Sequence, residues 1–195
     1  MLLVALRSIL DSRRLITRAG KSPLMLVERN PTSRCPPVPI RSEREHWALR
    51  PDDSDFLPLL AELPTAESVR RLPDFLLFSA TDDPPAHRNA PTLRVLVCEL
   101  KSSATGVESA LPQIRLGRLL AEYLLKLAAY RLGTAKPPVA DYSGLIVSPE
   151  LPTSLVSKGR TRPGRVEHHC VFDALAEMQI YTVPADVDVW LNTLY

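Results

Sequence analysis

Arg94-Val95-Leu96-Val97-Cys98-Glu99-Leu100-Lys101-Ser102-Ser103 is the stretch on which the reading of this chain turns. After Arg94 it runs as unbroken valine, leucine and cysteine to Cys98, the composition of a strand buried on both faces of an α/β sheet. Its end is different. Glu99 and Lys101 stand two residues apart, and on a strand the side chains at i and i+2 project to one face, so a carboxylate and an amine enter one space. Packing gives no reason to finish an interior strand with opposite charges, which makes that end a candidate active site.

Upstream, Leu72-Pro73-Asp74-Phe75-Leu76-Leu77-Phe78 is a second apolar run with an acid at its start. The connection from Thr81 to Pro91 is dense in turn residues, so strands over 73–79 and 92–101 are expected to form a hairpin with a long tip. Downstream, a loop of small residues leads into a predicted helix from Gln113 to Leu132. Ile114, Gly117, Leu120, Ala121, Leu124 and Ala128 recur there at three and four residues, Pro112 suits a first turn, and Gly133 can cap the end. Tyr142 to Ser148 reads as another strand, stopped by Pro149.

The ends of the chain are less regular. Residues 2–19 read as a helix closed by Gly20, and Leu24 to Glu28 as a first strand. From Asn30 to Asp55 the sequence is polar, with prolines at 31, 36, 37, 39 and 51, and reads as a long loop. Phe56 to Leu60 fits a strand or a helical turn, and Thr65 to Arg71 a short helix with Thr65 as N-cap. After a basic loop over 157–165, Val171 to Met178 is expected as a short helix, Gln179 to Val183 as a last strand, and Val187 to Leu194 as a helix or extended tail. The expected architecture is α/β, a small mixed β-sheet flanked by helices. A single domain over 1–195 would carry an insertion at about 29–66 and a C-terminal extension after about 149.

Composition sets outer bounds. Hydrophobic residues at 45% and charged residues at 24% are those of a globular chain, while 19 prolines against seven glycines call for stiff connections between short elements. A net charge of +2 does not imply nucleic-acid binding by itself, so a local basic surface must carry any such argument. Cys35, Cys98 and Cys170 form no CxxC pair, so a reducing, cytoplasmic setting is expected and a structural zinc site is not. Adjacent residues such as His168, His169 and Cys170 point apart on a regular element and do not readily chelate one ion. The apolar start meets Arg7 and Asp11 too soon for a signal peptide. Arg7, Arg13, Arg14 and Arg18 are compatible with an organellar transit peptide, but a surface helix is the reading adopted. No apolar run has the length of a membrane span, so no membrane partner is expected.

Two carboxylates and an amine at a sheet edge meet the needs of metal-dependent phosphodiester hydrolysis. Hard oxygen ligands hold Mg²⁺ or Mn²⁺ with several waters retained, and an ammonium can orient the attacking water or stabilise the pentavalent phosphorus. Asp74 and Glu99 would be ligands, the Leu100 carbonyl a third oxygen donor, and Lys101 would sit beside the water.

Pro73-Asp74 opening one strand, Glu99-Leu100-Lys101 closing the next, and the long helix after them resemble the PD-(D/E)XK nuclease superfamily, with its restriction endonuclease-like fold. The resemblance implies an αβββαβ core over roughly residues 1–148 with the Pro-rich stretch as an insertion. Asp74 and Glu99 would be the metal-binding acids and Lys101 the catalytic lysine. In this family an acid on the first helix often completes the site; that helix offers Asp11, while Glu28, Glu43, Glu45, Glu62 and Glu67 are conceivable substitutes. Gln113 resembles a glutamine that the exonuclease branch places beside its metal. That branch has a tyrosine one turn later, where this chain has Gly117, so the exonuclease branch is not assigned.

The implied function is a Mg²⁺-dependent nuclease acting on DNA in preference to RNA, with a homodimer or larger complex positioning the substrate. Lys158, Arg160, Arg162 and Arg165, interleaved with Gly159 and Gly164, could track a phosphate backbone, and a surface loop of the same composition is the alternative. Two further readings stay open for the charged strand end. One is a catalytically inactive fold of this type that binds nucleic acid or protein; the other is a solvated salt bridge at a strand terminus. Aromatic residues at 6% give little support to a base-stacking platform.

Overall fold

The quoted run forms β6 (Leu93–Leu100), the middle strand of a seven-stranded mixed sheet. The computed structural model describes residues 2–18, 22–28, 32–51, 72–81, 93–103, 107–134, 136–149, 169–186 and 188–191. Among them the order begins with α1 (Leu2–Ser8), β1 (Leu15–Thr17), β2 (Leu24–Leu26), β3 (Val38–Arg41), β4 (His46–Leu49) and β5 (Phe75–Ala80). After β6 come α2 (Val107–Arg131), β7 (Ala140–Ser148), β8 (His169–Asp173), β9 (Met178–Pro184) and β10 (Val189–Trp190).

The large sheet runs β1-β4-β5-β6-β7-β9-β8. From β1 to β6 every pairing is antiparallel, and β5 with β6 is the expected hairpin, Phe75 facing Cys98 and Leu77 facing Leu96. The sense then changes. β7 lies parallel to β6 and β9 parallel to β7, and α2 makes the crossover that a parallel pair requires. The site therefore lies where an antiparallel half meets a parallel one.

Alternation along the strands divides the core into two layers. Val95, Val97, Leu76, Phe78 and Ile146 pack under α1 and α2, while Leu96, Cys98, Leu77, Leu145 and Val147 face a second sheet of order β10-β3-β2. The sheet is larger than expected, and the helices cover one face of it instead of flanking it.

Several local expectations are corrected. The helix expected over 2–19 ends at Ser8; a 3₁₀ turn at Ser12–Arg14 follows, and Leu15–Thr17 pairs with β4 as an edge strand. The Asp11 carboxylate caps that turn by accepting from the Arg13 amide, which satisfies a donor outside any longer helix. The stretch read as a loop contains β3 and β4, and Leu24–Leu26 joins the small sheet instead of the large one. Pro39 is tolerated in β3 because β10 pairs only with Ile40 and Arg41, past the missing N–H. Val171 to Met178 is not helical: Val171, Phe172 and Asp173 complete β8, and the turn to β9 follows. The Asp173 carboxylate fixes that turn by accepting from the Leu175 and Ala176 amides, and Glu177 has a positive φ of 47°. The tail supplies β10, and the region expected as a helix at 65–71 lies outside the described residues.

Helix α2 starts earlier than Gln113, with Pro112 inside it, and ends as expected at Gly133, whose φ of 67° suits the αL cap. Gly117 sets how near α2 can approach: a Cβ there would stand 2.4 Å from Val97 Cγ1 and 2.6 Å from Pro73 Cγ. Gly117→Ala should therefore destabilise the chain by about 1–3 kcal/mol through overpacking. A lowered urea midpoint with an unchanged m-value is the expected result; an unchanged midpoint would mean that the helix can draw back. The same contact explains why no tyrosine can stand at 117. Among the described residues no helix is long and apolar enough to cross a membrane.

Candidate functional site

β5 and β6 bring the charged ends together. Extending their register by one pair from Phe75 and Cys98 sets Asp74 opposite Glu99, both on the face covered by α2. The two carboxylates are tied through each other's backbone. The Asp74 amide donates to Glu99 Oε2 at 3.1 Å, and the Leu100 amide donates to Asp74 Oδ2 at 2.7 Å. Each acid thus fixes the strand that carries the other.

Lys101 continues β6, its amide donating to the Val147 carbonyl at 2.8 Å. Its ammonium donates to Glu99 Oε1 at 2.7 Å and to Gln113 Oε1 at 2.8 Å. Gln113 is buried in α2, which places it over the strand end. The i, i+2 rule placed Glu99 and Lys101 together, the expected hairpin brought Asp74 to them, and Gln113, which the resemblance singled out, joins them from α2. Leu100 belongs to the same strand end, with its side chain in the opposite layer.

The electrostatics are those of two acids crowded out of water. Glu99 is only 3% exposed, and burial followed by the negative charge of Asp74 holds its carboxyl up to about 7, against the opposing pull of Lys101. Burial likewise lifts Asp74 to about 6; the Leu100 hydrogen bond works against this, and the charge of Glu28 adds to it. Glu28, one of the conceivable additional acids, therefore acts on the site electrostatically. Asp11 is engaged elsewhere: its exposed carboxylate is held by Arg13. Glu45 reaches Arg7 at 4.0 Å, and Glu62 and Glu67 lie outside the described residues. So do Lys158, Arg160, Arg162 and Arg165.

Among the described residues no group of three or more His, Cys, Asp or Glu side chains gathers to hold a metal ion. Mg²⁺ is commonly held by one or two carboxylates with its other positions filled by water, and two acids raised in pKa by burial, with the charge of Asp74 adding to the rise at Glu99, are a donor set whose negative charge a divalent cation would stabilise. Asp74 and Glu99 fit that role, with the Leu100 carbonyl as the main-chain candidate.

Ser148 is a residue that reading the sequence did not single out. It ends β7 one step beyond Val147, the partner of Leu100, and on the same face as Ile146 and α2. It is fully buried, and its Oγ has no hydrogen-bond partner among the described residues. The parallel register, unreadable without β7 placed beside β6, is what sets it level with Lys101. A buried hydroxyl without a partner costs free energy. Ser148→Ala is accordingly expected to leave stability unchanged or raise it by up to about 1–2 kcal/mol. A drop in melting temperature would show instead that the hydroxyl is satisfied.

Comparison of the chain with protein-family models, with curated proteins and with solved structures gives no match.

Proposed function

We propose that this chain is a divalent-metal-dependent phosphodiesterase of the PD-(D/E)XK type, with DNA as its substrate. The observation that carries the reading is the convergence of two buried, mutually braced carboxylates with an ammonium oriented by a glutamine. With β1, β2 and β3, which lie between α1 and β4, set aside, the element order supports it: α1, the antiparallel run β4-β5-β6, α2 and the parallel β7 then follow the sequence helix, three strands, helix, strand that the resemblance implies. In that arrangement β4, from the Pro-rich stretch, takes the place of the first core strand.

Asp74 and Glu99 would hold the ion, with the Leu100 carbonyl as a further oxygen. When bound, Mg²⁺ or Mn²⁺ supplies charge neutralisation at the phosphate and acidifies a coordinated water. Lys101 commits two of its three ammonium N–H groups to Glu99 and Gln113, leaving the third to hold the attacking water or a phosphate oxygen. Gln113 positions that ammonium from the rigid helix. Burial of Glu99 keeps bulk water away, which strengthens each of these contacts.

The test is incubation of the full chain with Mg²⁺ or Mn²⁺ and duplex, single-stranded and branched DNA, with RNA in parallel. Cleavage that chelation abolishes is expected on DNA. A specific observation favours the second reading, a binding subunit without cleavage: no third acid joins Asp74 and Glu99 among the described residues. Retention of DNA without any cut strand would select it.

A further inference from the structure

At the end of the large sheet remote from Glu99, α1, β1 and the start of β4 border a cavity of about 260 Å³ lined by Arg7, Thr17, Arg18, Glu45, His46 and Trp47. Trp47 faces Phe78, which lies four residues along β5 from Asp74, or about 13 Å at about 3.3 Å per residue. The cavity is therefore separate from the buried acids. Thr17 and Trp47 are direct partners in the β1–β4 pair, so their side chains share the face covered by α1. Trp47 is 1% exposed and stacks on Phe78 with ring centroids 4.7 Å apart, yet its Nε1–H has no partner among the described residues. A buried donor without an acceptor is rare, and this one belongs to a side chain that lines a cavity.

The charges around that donor are mainly positive. Arg18 donates from Nη1 to the Ser42 carbonyl at 3.0 Å, which fixes the guanidinium at the cavity wall by one of its five N–H groups. Arg7 stands 4.0 Å from Glu45, beyond hydrogen-bond length, and both side chains are well exposed, so the pair is loose enough for an incoming anion to displace. By strand alternation His46 belongs to the other face of β4, where its Nδ1 donates to the Arg44 carbonyl at 2.8 Å. It stands outside the donor set.

We infer that this cavity binds a small phosphomonoester. Guanidinium groups match phosphate oxygens with parallel N–H bonds, and the Thr17 hydroxyl and the Trp47 indole can each add a further donor. Those four donors come from three elements and approach from different directions. A tetrahedral phosphate offers oxygens toward all of them, whereas a planar carboxylate has only two. At about 30 Å³ for each water-sized atom the cavity holds about nine, five for the phosphate group and about four for the carrier. The site needs neither a metal nor cleavage of nucleic acid, so its fate is independent of the function proposed above.

Titration of the full chain with inorganic phosphate and with glycerol 3-phosphate tests it. The chain has two tryptophans, so Trp190→Phe leaves Trp47 as the sole indole reporter. Its fluorescence should saturate with a Kd on the order of 0.1–1 mM, and acetate at matched ionic strength should produce no such change. Calorimetry should find binding weakened about 10-fold by Arg7→Met or Arg18→Ala, and about fivefold by Trp47→Phe, which keeps the stack on Phe78 and lacks the N–H. Glu45→Gln should tighten it about two- to fivefold, since a negative charge leaves the rim. Circular dichroism checks that each variant is folded. Absence of saturable binding by about 10 mM, affinity indifferent to both Arg7→Met and Trp47→Phe, or weaker binding in Glu45→Gln would each overturn the inference. So would binding of a 5′-phosphorylated DNA by a chain that ignores both small probes.

Discussion

Lys101→Ala should lower the proposed metal-dependent DNA cleavage by about 100- to 1,000-fold while the chain remains folded. The side chain lies at a strand end with its ammonium between Glu99 Oε1 and Gln113 Oε1, so truncation removes a positioned donor and opens no large cavity. It also leaves Glu99 without the charge that now opposes its burial, and the carboxyl should then titrate higher still. The pH at which cleavage reaches half its plateau should rise with it. Gln113→Ala should cost less, on the order of tenfold, because the ammonium keeps its bond to Glu99. Initial rates over a pH series, with folding checked by circular dichroism, measure all three. A Lys101→Ala chain that cuts as fast as the parent would remove the lysine from the chemistry.

The second large effect concerns stability. Asp74 and Glu99 bind their protons more tightly in the folded chain than in the unfolded one, so between about pH 4 and pH 7 the folded state holds more protons. Raising the pH through that window lowers stability, by up to about 1.4 kcal/mol per pH unit for each group. The penalty is complete above the folded values and absent below the unfolded ones. His46 has the opposite sign: burial lowers its pKa, so its charging destabilises the fold as pH falls. Comparison with Asp74→Asn removes that background, since the amide oxygen can still accept from Leu100 while the charge is gone. Asp74→Asn should be more stable than the parent by about 1–3 kcal/mol at pH 8, and the difference should shrink toward pH 5. Addition of Mg²⁺ at pH 8 should raise the parent's melting temperature and leave the variant's unchanged. A difference that grows on acidification would contradict the crowded-acid description.

The parts legible in sequence were those in which local period and burial agree. β5, β6, β7 and α2 are apolar over many residues, and their faces follow from periods of two and of three to four. Asp74, Glu99, Lys101 and Gln113 were legible because each takes its place from one of those elements. The misreadings have physical causes. β3 and β4 are four residues each amid prolines and charges, so pairing with distant strands, not local pattern, makes them strands. Val171 and Phe172 fit a helix or a strand by hydrophobicity alone, and the hairpin with β9 decides. Ser148 required a register that no single segment contains.

The small sheet has a consequence for how the chain is made. β3 is completed by β10, and 147 residues separate Arg41 from the Asp188 with which it pairs. A ribosome delivers residues in order, so Leu24, Leu26, Val38 and Ile40 must wait until β10 has been made before their layer closes. During that interval those side chains lack the strand that covers their sheet edge, and a pairing of such wide sequence separation is slow to form and open to wrong partners.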